Sequence, residues 1–197
     1  MPVDRATAVV IMLHGRNAAP ENILSLVPRL AQPGVAYLAP AAAGRTWYPY
    51  TFLSERQQNE PHLSSALQVL TDLTEDLLRR GIARDRIVLL GFSQGACLAS
   101  EFLLRQPARW GGLIVFSGGL IGPPGTTWTP SGSLDGTAVF LGCSDVDAHI
   151  PLDRVDDTAR VFRAMSADVH LQIYPGMGHT VNDDEIAHAR GLIDRLG

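Results

Sequence analysis

Ser93 is the residue of this chain whose setting most invites chemistry. It stands in Gly91-Phe92-Ser93-Gln94-Gly95, directly after the apolar run Ile87-Val88-Leu89-Leu90 and directly before the small-residue segment Ala96-Cys97-Leu98-Ala99. Such a run reads as a buried parallel strand, and the helix-like stretch behind it makes the five residues a sharp strand-to-helix turn. Glycine two places either side of the serine suits that turn, because a Cβ at either position would crowd it. The turn holds the serine Oγ out at the top of the sheet and aims the N–H of Gln94 at the same space. The helix beginning there adds the positive end of its dipole, which favours a developing oxyanion. Three fixed positions of common residue types also arise by chance; the strand before and the helix after separate this stretch from an ordinary structural turn. The chemistry implied is nucleophilic attack by a serine hydroxyl on a carbonyl carbon.

That chemistry needs partners. His179, in Gly176-Met177-Gly178-His179, is the candidate base that takes the serine proton and returns it to the leaving group. A carboxylate must fix the histidine tautomer, and Asp145 and Asp147 both follow an apolar run at residues 138–141. Two N–H donors must hold the tetrahedral oxyanion; Gln94 supplies one, and the turn after His14-Gly15, most naturally at Arg16, supplies the other. The chain order Ser, Asp, His is the one α/β-hydrolases use. His14 ends a buried strand and reads as a structural histidine. His62, His149, His170 and His188 belong to no evident constellation, and no His-x-x-x-His or Cys-x-x-Cys pair marks a metal site. No metal or other cofactor is therefore expected. The aromatic stretch from Trp47 and Tyr48 to Phe52, on a long loop at the ligand edge, fits plain packing and an acyl pocket equally well.

The elements that must bring these groups together alternate in type. Strands are expected at residues 8–13, 35–39, 86–92, 112–117, 138–141 and 169–174, the last alternating apolar and polar as an edge strand would. Helices are expected at 21–30, from the Asn59-Glu60-Pro61 start through the leucine stripe to Gly81, at 93–105, at 151–165, and after the Asn182 cap. Residues 118–136, rich in Gly, Pro and Thr, read as a loop in place of a helix. Strands alternating with helices give a mostly parallel sheet, whose ligand site lies at the carboxyl ends of its strands. Every candidate group follows a strand, so the fold gathers them on one edge.

Composition bounds the rest. At 197 residues, 46% hydrophobic and 18% charged, the chain suits a single α/β domain over residues 1–197. A net charge of −4 offers no electrostatic footprint for nucleic acid or an anionic membrane surface. No apolar run approaches the ~20 residues that span a bilayer, no signal peptide is evident, and the two cysteines read as buried thiols rather than a disulfide framework. The expected setting is the cytoplasm, and the expected partner a small-molecule ester.

Leu13-His14-Gly15, Gly91-Phe92-Ser93-Gln94-Gly95-Ala96, Asp147-Ala148-His149-Ile150-Pro151 and Gly176-Met177-Gly178-His179 together resemble the phospholipase/carboxylesterase family of α/β-hydrolases, over nearly the whole chain. The Thr46-Trp47-Tyr48-Pro49 segment is similar to the substrate-side loop of its small bacterial members. The resemblance implies an α/β-hydrolase fold with a six- to seven-stranded sheet, helices on both faces and no cap domain. It implies Ser93, Asp147 and His179 as the catalytic triad, Arg16 and Gln94 as oxyanion donors, and Trp47, Tyr48 and Met177 at the substrate. The sequence does not give the oligomeric state, for which a homodimer is one option. Two departures stand out: Ala148 where the family usually has proline, and Arg16 where relatives often have an apolar residue. The activity implied is hydrolysis of short-chain carboxylic esters through an acyl-enzyme. Its rivals are a thioesterase with the same triad and a non-catalytic receptor on the same fold.

Overall fold

A computed structural model of the chain describes residues 1–196. Six strands form one sheet: β1 (Ala8–Leu13), β2 (Val35–Leu38), β3 (Ile87–Phe92), β4 (Gly112–Phe116), β5 (Ala138–Ser144) and β6 (Asp168–Tyr174). Their order is β2-β1-β3-β4-β5-β6, and every neighbouring pair is parallel. The four inner strands are apolar almost without interruption because both their faces are covered.

Side-chain alternation divides the core into two layers. Val9, Ile11 and Leu13 face one cluster, which also holds apolar residues of α3 (His62–Arg79), α4 (Gln94–Arg105) and α5 (Leu152–Ala164). Ala8, Val10 and Met12 face the other, built with α1 (Pro20–Leu24), α2 (Val27–Leu30) and α6 (Asp183–Asp194). Helices thus cover both faces, and no cap domain interrupts the described residues.

The topology dictates where a site can form. After β1 the chain moves outward to β2, then returns to pair β3 on the other side of β1. This reversal opens a crevice between the carboxyl ends of β1 and β3, the usual ligand position in an open parallel sheet. Those ends carry Gly15-Arg16 and Ser93.

Three local expectations are corrected. The helix expected over residues 21–30 is broken into α1 and α2 around Ser25-Leu26. Pro28 has no N–H to bond the Leu24 carbonyl, and its ring would collide with that turn. Asn59 does not cap α3: it is buried, accepts from the Tyr50 N–H and donates to the Thr51 carbonyl, so it pins the aromatic loop instead. Pro61 stands at the cap position, and the Glu60 carboxylate serves the Ser64 N–H. His170 and His188 are not isolated either. They pack on each other with ring centres 4.5 Å apart, and both stack on Phe140.

Residues 118–136 form no helix, yet they are firmly held. Arg154 of α5 is buried and donates to the carbonyls of Leu120, Gly122 and Pro123, with its guanidinium over the rings of Trp128 and Phe52. Thr158 accepts from the Leu120 N–H. The buried backbone of this loop finds side-chain partners in place of helical ones.

Asn182 caps α6 through a reciprocal box with Glu185. Glu185 is fully buried; one carboxyl oxygen accepts from the Asn182 N–H and the other has no hydrogen-bond partner among the described residues. Burial pushes its carboxyl up to about 7, against the Asn182 N–H, which pulls it down. In the unfolded chain the group loses its proton near the ordinary value of ~4.3. Between these limits the folded state holds the extra proton, so this group lowers stability as pH rises. Glu185→Gln is expected to flatten that fall, a difference on the order of 3 kcal/mol by pH 8. Urea midpoints of the two proteins at pH 4 and pH 8 measure it; parallel curves would refute the assignment.

Candidate active site

The turn at the end of β3 is built as its glycines require. Ser93 takes φ 55°, a left-handed conformation unusual for a residue with a side chain. A Cβ on Gly95 would lie 2.2 Å from the Leu13 carbonyl oxygen, and one on Gly91 would lie 2.4 Å from the Ala96 nitrogen. Backbone, not a movable side chain, fills both spaces. Gly95→Ala is therefore expected to cost ~3 kcal/mol or more by forcing β1 away from α4, a fall in Tm of roughly 6–12 °C. Calorimetry measures it, and a Tm within ~2 °C of the parent would contradict this packing.

Three side chains meet at this turn. His179 Nε2 lies 2.9 Å from Ser93 Oγ, and His179 Nδ1 lies 2.7 Å from Asp147 Oδ2. The other Asp147 oxygen accepts from the N–H groups of His149 and Ile150. Burial works against the Asp147 charge, yet the His179 ring and these two N–H donors outweigh it and hold the carboxyl below its ordinary range. A carboxylate at Oδ2 keeps the ring proton on Nδ1 and leaves the Nε2 lone pair facing the serine. This arrangement can activate a hydroxyl.

Asp145 works elsewhere. Its Oδ1 accepts from the Gly176 N–H at 2.8 Å, while Ser144 Oγ accepts from the Gly178 N–H at 3.1 Å. The end of β5 thus shapes the glycine-flanked turn that delivers His179. His14 is saturated: Nδ1 donates to the Gly15 carbonyl and Nε2 accepts from the Ala42 N–H.

The Arg16 N–H has no hydrogen-bond partner among the described residues. The Gln94 N–H, at the first position of α4, needs none within the helix. The side chains of these two residues do something that spacing could not reveal. Gln94 accepts from the Trp47 N–H and donates to the Tyr48 carbonyl. Arg16 donates to Thr46 Oγ1 and to the Pro49 and Tyr50 carbonyls. Both latch the aromatic loop over the site.

A cleft of about 420 Å³ opens beside Ser93 and His179, walled by Tyr48, Phe52, Cys97, His149 and Ile150, with Arg16 at its edge. Of the three residues expected at the substrate, Tyr48 alone lines it. Trp47 is turned inward, its Nε1 donating to the His14 carbonyl and its ring 4.9 Å from His14. Met177 faces Asn182, whose Nδ2 lies 2.9 Å from its Sδ. Conversely, His149 was expected to be an ordinary surface residue, and its ring sits edge-on to His179 at 4.8 Å. Phe92 packs on His179 at 4.9 Å.

Burial pushes the free thiols of Cys97 and Cys143 up to about 12, so neither offers a thiolate near neutral pH. Among the described residues no cluster of three or more His, Cys, Asp or Glu could hold a metal ion, and no helix is long and apolar enough to cross a membrane.

Comparison with known proteins bears on the family and the fold. The family model described as Phospholipase/Carboxylesterase matches residues 1–196. An acyl-protein thioesterase 1 of Eremothecium gossypii is 30% identical over 79% of this chain and 68% of its own length. The crystal structure of a phospholipase/carboxylesterase from Dyadobacter fermentans superposes with a TM-score of 0.93, at 38% identity, over 98% of this chain and 92% of that one. The crystal structure of an esterase designated PE8 shares the fold, with a TM-score of 0.80 at 24% identity over 100% of this chain and 97% of its own.

Proposed function

Because this chain belongs to the phospholipase/carboxylesterase family, we propose that it hydrolyses carboxylic esters of short acyl groups through a covalent acyl-enzyme on Ser93. The observation that carries this reading is the continuous hydrogen-bonded line from Ser93 Oγ through His179 to Asp147 beside a cleft of about 420 Å³.

In the first half-reaction His179 Nε2 takes the Ser93 proton as Oγ bonds the ester carbonyl carbon. The carbonyl π electrons move to oxygen, which the N–H groups of Arg16 and Gln94 receive. The tetrahedral intermediate collapses, the C–O bond to the alcohol breaks, and His179 gives the alcohol oxygen its proton. Water then repeats the sequence on the acyl-enzyme and releases the acid. Asp147 stays ionised and stabilises the imidazolium at each stage.

Short acyl groups suit a cleft whose inner wall is Tyr48, Phe52 and Cys97. A nitrophenyl ester series from acetyl to palmitoyl tests this: kcat/KM should peak among the short acids, with a burst of nitrophenol equal to the enzyme present. A steady climb to palmitoyl would point to a long groove. Absence of any burst or turnover would favour the non-catalytic receptor.

The thioesterase reading is favoured by one observation, the name of the Eremothecium gossypii relative. An oxygen ester and a thioester of the same short acid, compared by kcat/KM, separate the two.

A further inference from the structure

A second cavity of about 420 Å³ also borders His179, next to the cleft. Its walls are mainly apolar: Ala18, Ile23, Leu26, Phe92 and Val181, with His179 among its borders. Gly15, Ala18, Phe92 and His179 border both cavities, so the two meet at His179. The break between α1 and α2 explains why the groove exists. Pro28 interrupts the helix, and Leu26, at the break, lines the groove.

Resting on the esterase reading above, we infer that this groove receives the alcohol half of the substrate, and that the alcohol is apolar, an alkyl or aryl group. The assignment follows from where each bond of the tetrahedral intermediate must point. Its carbon carries four groups: Ser93 Oγ, the oxyanion, the alcohol oxygen and the acyl chain. The oxyanion lies toward the N–H groups of Arg16 and Gln94. The alcohol oxygen lies toward His179 Nε2, because that nitrogen must give it a proton for the C–O bond to break. The acyl chain takes the remaining direction, away from His179, into the cleft walled by Tyr48, Phe52 and Cys97. The groove is bordered by His179, Thr180 and Val181 but by neither Ser93 nor Gln94. It therefore lies on the leaving-group side.

Both cavities are mainly apolar. In the groove Ile23, Leu26 and Val181 meet the substrate beside Asn22 and Thr180. An apolar alcohol gains by leaving water there, and each buried methylene multiplies kcat/KM by up to roughly fourfold.

Hexyl acetate and methyl heptanoate test this directly. They are isomers of equal apolar content, and only the side of the ester that bears the chain differs. Acid release at constant pH gives kcat/KM for each. Hexyl acetate should be preferred at least ~tenfold, what two buried methylenes supply. Leu26→Trp, which fills the groove, should collapse the hexyl-to-methyl preference among acetates and leave the acyl-length preference among methyl esters in place. Val181→Phe is the second variant should the first fold poorly; melting temperature and labelling of Ser93 by a fluorophosphonate report folding. A preference for methyl heptanoate, or a Leu26→Trp change confined to acyl length, places the acyl chain in the groove and overturns the assignment. Equal rates for the isomers in an enzyme that still shows its burst overturn it too and leave the esterase reading standing. Loss of the burst in the parent protein removes both.

Discussion

Ser93→Ala is expected to lower kcat for ester hydrolysis by ~10⁵ to 10⁶ while the protein stays folded. The size follows from the division of labour in the site. Without Oγ there is no acyl-enzyme, and His179 is left facing a methyl group that can neither give a proton nor attack. What remains is direct attack by water, helped only by the oxyanion donors. Stability should change by less than ~1 kcal/mol. The substitution removes one hydroxyl and one hydrogen bond, that to His179. The left-handed backbone at φ 55° costs alanine about what it costs serine. Steady-state assay beside thermal melting checks both halves. Turnover above a few per cent of the parent would move the nucleophile elsewhere, and a melting point lower by ~10 °C would mean the loss reflects the fold rather than the chemistry.

What could be read in the chain beforehand, and what could not, divides on a physical line. The strands were legible because burial on both faces leaves no alternative to continuous apolar runs, as in β1 and β3. The elbow was legible because backbone occupies the space where two Cβ atoms would go, which narrows Gly91 and Gly95 to one residue type. The helix break at Ser25-Leu26 was also readable in principle, since Pro28 forbids the bond to Leu24; the apolar spacing on either side masked it. Other features had no local signal. Asn59 reads as a cap from its neighbours, and only the arrival of Tyr50 and Thr51 gives its side chain a better use. Trp47 and Tyr48 are adjacent on one loop. Which of them meets the cleft is settled by the Gln94 and Arg16 latches, contacts 30 to 48 residues away in sequence. His149 reaches His179 because Asp147 accepts two successive N–H bonds and curls residues 147–150 tightly.

Asp147→Asn should lower kcat by ~10⁴, the size such a change has in the well-studied serine proteases, and Asp145→Asn by far less. The two residues are two apart and follow the same strand, so spacing alone separates them poorly. Their hydrogen bonds differ in kind. In Asp147→Asn the amide oxygen would stay with the His149 and Ile150 N–H groups, which already hold one carboxyl oxygen. That turns the NH₂ toward His179 Nδ1, now 2.7 Å from Oδ2. A donor there forces the ring proton onto Nε2, where it faces Ser93 Oγ, and the lone pair that should take the serine proton is gone. The charge that stabilises the imidazolium is lost as well. Asp145 makes one contact, accepting from the Gly176 N–H. Asparagine has an oxygen of the same reach, so that bond survives as a neutral one, weaker by ~1 kcal/mol. The His179 turn loosens slightly and kcat falls no more than ~tenfold. The expected ratio between the variants is therefore ~10³, too large for a shared indirect effect on the loop. Single-turnover acylation by nitrophenyl acetate reads it free of product release. Should Asp145→Asn prove the more damaging change, the carboxylate that orients His179 in the working enzyme is the other one, and the turn after β5 adopts a different path during catalysis.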